Sequence, residues 1–208
     1  MGKRIYITGS SVTKNIGSRL LFANLSFSVQ AGECLAITGA NGSGKSTLLK
    51  LIAGTIHPSS GVIKFSDGSQ VLDEEARTLC LGLVSPEMQM YEMLTGIENI
   101  RLLAEARGLK LSNAQAVDCC ERMGLGVKSA DLVKTYSTGM RQRLKIALLL
   151  AVDVPVWLLD EPSSNLDNTG RQIISGAIAA AVKEGRSIVL ATNDEAEAVY
   201  AQRTIALS

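Results

Sequence analysis

The stretch Gly39-Ala40-Asn41-Gly42-Ser43-Gly44-Lys45-Ser46-Thr47 constrains the fold more than any other part of the chain. It has the spacing G-x-x-x-x-G-K-S, follows a short apolar run from Cys34 to Thr38, and opens a helical pattern over Thr47–Ala53 that Gly54 stops. Strand, glycine-rich loop and helix in that order form a cradle for phosphate groups. The glycines let backbone N–H groups turn inward without a Cβ in the way, and the helix start adds partial positive charge. Lys45 is placed to reach the β- and γ-phosphates of a nucleotide, and the Ser46 hydroxyl to ligate Mg²⁺. Gly39, Asn41, Gly42, Ser43, Gly44, Lys45, Ser46 and Thr47 are therefore candidate binding residues. A plain glycine turn with a surface lysine is the competing reading, and the elements on either side argue against it.

A second marker fits the same fold. Val156-Trp157-Leu158-Leu159 is an apolar run that ends in Asp160-Glu161. Beyond it the chain alternates helix (about 169–183) and strand (Ile188–Ala191), the pattern of parallel strands joined by crossover helices. At the C-terminal end of such a strand, Asp160 is positioned to organise a metal ion, and Glu161 to accept a proton from an attacking water. Upstream, Tyr136-Ser137-Thr138-Gly139-Met140 opens another helix. Ser137 and Gly139 read either as a second anion-binding helix start or as an ordinary cap.

The remaining segments are strands and helices of moderate length. Residues 1–33 carry short alternating runs separated by Gly and Asn, read as antiparallel strands. Strand-like runs follow at Val62–Phe65 and Cys80–Val84. Thr95-Gly96-Ile97-Glu98 is a capping box that predicts a helix to about Arg107, and a second amphipathic helix fits Asn113–Met123. A net charge of +1 without long runs of one sign argues against nonspecific nucleic-acid binding. The four cysteines form no C-x-x-C pair and read as buried reduced thiols. Lys3 and Arg4 precede no long apolar stretch, so no signal peptide is expected. The most apolar segment, Ile146 to Leu159, contains Asp153 and Pro155 and falls short of the roughly 20 residues that span a bilayer.

Together, NGSGKSTLLKLIAG, LTGIENI, YSTGMRQRL and WLLDEPSSNLD resemble, in order and spacing, the nucleotide-binding subunits of ABC transporters. The resemblance covers essentially the whole chain. It implies an α/β P-loop NTPase fold: a RecA-like parallel-sheet core (34–87 and 151–208), an N-terminal antiparallel β portion (1–33) and an inserted helical subdomain (88–150). It implies binding and hydrolysis of ATP with Mg²⁺, Ser46 and Asp160 serving the metal. Two such subunits face head to tail, so Ser137 and Gly139 would hold the γ-phosphate bound by the partner. Integral membrane permease subunits would be the further partners, with this chain peripheral on the cytoplasmic face of the membrane. The short length resembles small exporter ATPases, such as the ATP-binding subunit of the haem exporter of cytochrome c maturation.

Three positions depart from the family's pattern. Asn193 stands where the family usually has a histidine on the γ-phosphate. An amide can donate a hydrogen bond but cannot carry positive charge, which points to slow hydrolysis. Asn193 reads equally as the cap of a helix starting near Glu195. Pro86 stands where a glutamine is usual, leaving Glu87 or Gln89 as substitutes at the metal or water. Ile16 matches the position of the aromatic that usually stacks on adenine and offers only apolar contact; Tyr6 and Phe22 are the possible substitutes, though both read better as core residues. Two assemblies stay open, a slow homodimer and a heterodimer in which this chain's own site is degenerate. Two other functions also stay open: a nucleotide-gated regulator without hydrolysis, and an ABC ATPase acting on ribosomes or DNA.

Overall fold

The structure is a computed structural model that describes residues 4–207; Lys3 and Ser208 lie outside the described residues. The described residues form two compact units, one drawn from residues 4–83, 155–161 and 178–207, the other from 84–154 and 162–177.

The first unit holds both sheets. β1 (Tyr6–Ile16) and β2 (Arg19–Val29) form the antiparallel hairpin expected of the N-terminal segment. β4 (Ser60–Ser66) pairs with the other edge of β1, giving the order β2-β1-β4. This third strand comes from beyond residue 33, where local patterning gave no sign of its partner.

The second sheet has the order β5-β6-β7-β3-β8. Its strands are β3 (Cys34–Thr38), β5 (Leu81–Val84), β6 (Val156–Asp160), β7 (Ser187–Ala191) and β8 (Arg203–Ala206). β3 pairs in parallel with β7 and β8, and β6 with β7. Every residue of β6 and β7 is buried, which explains why both read as unbroken apolar runs. The one polar residue inside β7, Ser187, donates its hydroxyl proton to the Ile5 carbonyl and so ties the sheet to the entry of β1. The α/β class and the parallel core match the expectation from sequence.

α1 (Lys45–Ala53) leaves the phosphate loop and packs on β6 and β7. Gly54 closes it in the left-handed conformation (φ 82°), as the sequence suggested. A helix that the sequence reading missed, α2 (Glu74–Cys80), follows β4. Asp73 caps it by accepting from the Ala76 N–H, and it takes Cys80 away from the expected strand, so β5 begins at Leu81. From α2, Arg77 reaches the C-terminus of α1: Nη2 donates to the carbonyls of Leu51 (2.7 Å) and Ile52 (2.5 Å). Its guanidinium also lies 5.0 Å from the Phe65 ring centroid.

The second unit is helical. The capping box at Thr95 and Glu98 forms as read, and opens α3 (Gly96–Glu105). α3 stops before Arg107, because Gly108 takes φ 78° and turns the chain. Ser112 and Gln115 make a second capping box at the head of α4 (Asn113–Arg122). α5 (Thr138–Val152) follows with Ser137 as its cap, and α6 (Asn168–Lys183) begins after the turn at Ser164–Asp167. Asn99 is fully buried, and its amide nitrogen donates to the Tyr91 and Thr95 carbonyls at 2.9 Å each.

The four cysteines are buried thiols outside any disulfide. Burial first, then neighbouring acidic groups, pushes the thiols of Cys34 and Cys120 up to about 12, which leaves them without nucleophilic thiolate. Among the described residues no helix is long and apolar enough to cross a membrane.

Candidate functional site

β3 delivers the chain to a loop whose backbone only glycine accepts. Gly39 has φ 144°, and a Cβ there would collide with the Leu207 carbonyl oxygen. Gly44, with φ 102°, caps α1 without a side-chain acceptor. No side chain of the cap residue therefore competes for the first amides of α1, which suits them to an anion. The Ser43 hydroxyl is buried without a hydrogen-bond partner, an orphan that a ligand oxygen would satisfy. Lys45 is 6% exposed, and its ammonium donates to the carbonyls of Gly39 (2.8 Å) and Ala40 (3.2 Å). Both bonds are to the first two residues of the loop.

The cavity at this loop measures about 450 Å³, within the range of about 300–1,000 Å³ usual for small-molecule sites. Gly42, Gly44, Lys45, Ser46 and Thr47 form one wall, and Glu161 joins them. Glu161 has φ 48°, a left-handed conformation that a glutamate adopts only under constraint. Its own N–H supplies the constraint by donating to the Ala191 carbonyl at 2.8 Å. The bond turns the chain sharply at the end of β6 and sets the side chain on the loop cavity. Asp160, one residue earlier, is 5% exposed at the strand's C-terminal end. A hydroxyl and a carboxylate fit Mg²⁺, which takes one or two protein oxygens and completes its shell from phosphate and water.

Opposite these residues lie three from the hairpin: Ile16, Arg19 and Leu21. Gly17 (φ 58°) and Ser18 make a two-residue turn, so Ile16 and Arg19 are direct cross-strand partners. Leu21 falls at a register shift of the ladder and lines the same cavity. The sequence reading named Ile16 and missed the other two; the Gly17-Ser18 turn was the signal that pairs 16 with 19. Phe22 is buried against Gly44, in the core as expected.

Asn193 stands on the other flank of the loop. Its Nδ2 donates to Asn41 Oδ1 at 3.2 Å, and both line a second cavity, of 680 Å³, with Gly39 and Asp194. The reading of Asn193 as a helix cap does not hold. α7 (Glu195–Ala198) starts where expected, but Asp194 immediately precedes it, and the Asn193 amide turns to Asn41 instead.

The second unit carries the other candidates. Ser137 caps α5, its hydroxyl accepting from the Met140 N–H at 3.2 Å, with Gly139 in the first turn. A Cβ on Gly139 would sit 3.0 Å from a Leu166 methyl. Pro86 and Gln89 line a cavity of 480 Å³ with Gln142, Lys145, Ser164 and Asn165, while Glu87 is exposed. Lys145 is 7% exposed, and its ammonium holds the Ser85 carbonyl at 2.9 Å. Burial pushes the Lys145 ammonium below the ordinary lysine range.

Known proteins place this arrangement. Residues 22–164 match the family model described as ABC transporter. The chain is 32% identical over 195 residues to a cytochrome c biogenesis ATP-binding export protein, CcmA, of Nitrosospira multiformis, covering 92% of this chain and 93% of the relative. It is 35% identical over 192 residues to ABC transporter I family member 1 of Arabidopsis thaliana, covering 91% and 82%. Among solved structures, a dimeric bacterial ABC transporter cassette superposes with a TM-score of 0.83 at 26% identity, over 97% of this chain and 94% of that one. A post-hydrolysis dimer of the same cassette, bound to ADP and Pi, matches equally well. With its loop, its strand-end carboxylates and its parallel core in the same order, this chain belongs to the ABC transporter family of ATP-binding subunits.

Proposed function

We propose that this chain binds and hydrolyses ATP as the nucleotide-binding subunit of an ABC exporter. One observation carries the reading: a strained Glu161 shares a single cavity with Lys45 and Ser46. The first amides of α1 receive the phosphate oxygens, and Lys45 leaves the Gly39 and Ala40 carbonyls to bind the terminal phosphates. Glu161 accepts a proton from the attacking water while the loop holds the phosphoryl group in place. Ser46 and Asp160 would hold Mg²⁺, whose charge offsets that of the phosphates. Asn193 touches the same loop through Asn41 and contributes a neutral hydrogen bond, so turnover is slow.

Relatives named as ATP-binding export proteins support a place on the cytoplasmic face of a membrane, docked on integral permease subunits. The helical unit is the surface for that docking, and Ser137 with Gly139 serves the nucleotide of a second subunit. The test is steady-state phosphate release from ATP with Mg²⁺, wild type beside Glu161→Gln. Removing a general base lowers the rate about 10²–10⁴-fold while ATP binding persists. Equal rates in the two proteins would overturn the assignment of Glu161. Equally silent proteins that bind ATP would favour the second reading, a nucleotide-gated regulator, which the neutral Asn193 also suits.

A further inference from the structure

The loop cavity has a second end that the phosphate chemistry does not use. Ile16, Arg19 and Leu21 of the hairpin line it, and among the described residues no aromatic side chain lines the cavity with them. Ile16 is 57% exposed and gives a bare aliphatic surface. Arg19 is exposed as well, and its Nη2 donates to the Gly42 carbonyl at 3.3 Å. One edge of the guanidinium is thereby held at the loop, beside the cavity that Arg19 lines with Ile16 and Leu21.

We infer that Arg19 is the residue that stacks on the nucleobase, its guanidinium plane lying against one π-face with Ile16 and Leu21 in apolar contact. The inference rests on the nucleotide reading above and assigns its base-binding end. A nucleoside triphosphate is a charged tail, a sugar and a flat aromatic ring, and this cavity is divided in the same way. Guanidinium is planar, delocalised and weakly hydrated, so it stacks on aromatic rings where an ammonium does not. Every base has a π-face, and the three hairpin side chains present no donor–acceptor pair matched to the edge of one base. Discrimination between adenine and guanine is therefore weak.

Calorimetric titration with ATP and with inorganic tripolyphosphate, which has no base, tests this directly. Arg19→Ala should weaken ATP binding about 3- to 30-fold, the range of a cation–π contact, and leave tripolyphosphate binding unchanged. Arg19→Tyr, a plane without charge, should restore ATP affinity; Arg19→Lys, a charge without a plane, should not. GTP should bind the unsubstituted chain within about tenfold of ATP, since no edge contact separates them. Arg19 is exposed and outside the core, so these variants should fold. Equal loss of ATP and tripolyphosphate in Arg19→Ala would place the residue at the phosphates and overturn the proposal. So would no loss at all, or rescue by lysine rather than tyrosine. If the folded, unsubstituted chain binds neither ligand, the nucleotide reading itself falls, and the assignment of Arg19 with it.

Discussion

At the residue scale, the proposed slow turnover rests on Asn193. Its side chain already lies at the loop, 3.2 Å from Asn41, so position is not what it lacks. What it lacks is a protonatable group: a primary amide donates a hydrogen bond but stays neutral at every working pH. An imidazole of similar reach can carry a proton and meet charge that develops during phosphoryl transfer. Asn193→His should therefore raise the steady-state rate, about tenfold for a neutral bond replaced by a charged one. The gain should fade as the pH rises past the histidine's pKa, because the charged form supplies it. A rate for Asn193→His at or below wild type at every pH would show that the amide is not the limiting group.

At the element scale, the legible parts were those whose chemistry is local. Thr95 and Glu98 lie three residues apart and satisfy each other's amide partners, so their capping box could be read directly. Gly54 ends α1 for an equally local reason, and the unbroken apolar runs of β6 and β7 reflect burial on both faces. α2 was missed because its seven residues carry no apolar stripe; only Asp73 before Glu74-Glu75 marked its start. Arg77 and Arg19 were missed for a different reason. Each acts on a segment more than twenty residues away in sequence, and no local pattern records such a partner. Arg77 ties α2 to the end of the helix that carries Lys45, through two carbonyl bonds and the Phe65 ring. Hydrogen bonds to charged groups contribute about 1.5–3 kcal/mol each, less for a half-exposed side chain whose partners regain water. Arg77→Ala should lower unfolding stability by about 2–3 kcal/mol in urea titration, at unchanged slope. Arg77→Lys should recover only part, since one ammonium cannot both span two carbonyls and stack on Phe65. A loss below about 0.5 kcal/mol, the size of an ordinary surface change, would show that α1 ends securely without it.

At the scale of the whole molecule, the question is what the chain closes against. Its loop cavity gathers Lys45, Ser46 and Glu161, while Ser137 is an exposed helix cap whose proposed role is toward a nucleotide held by another subunit. A similar cassette has been solved as a dimer and, after hydrolysis, with ADP and Pi. If two copies of this chain associate in that way, nucleotide is the link between them, and association must follow its occupancy. Glu161→Gln keeps the cradle and removes the proton acceptor, so bound ATP persists. In light scattering with ATP and Mg²⁺, Glu161→Gln should move from monomer to dimer. Lys45→Ala should stay monomeric, because ATP binding loses the ammonium, worth about 10- to 100-fold as a charge-assisted bond. Adding Ser137→Ala to Glu161→Gln should weaken the dimer without changing ATP affinity of the monomer, since that hydroxyl would act on the other copy's nucleotide. A Glu161→Gln chain that saturates with ATP yet stays monomeric at high concentration would exclude the homodimer. The competent partner would then be a different nucleotide-binding subunit, and the slow site built around Asn193 would be one half of an asymmetric pair.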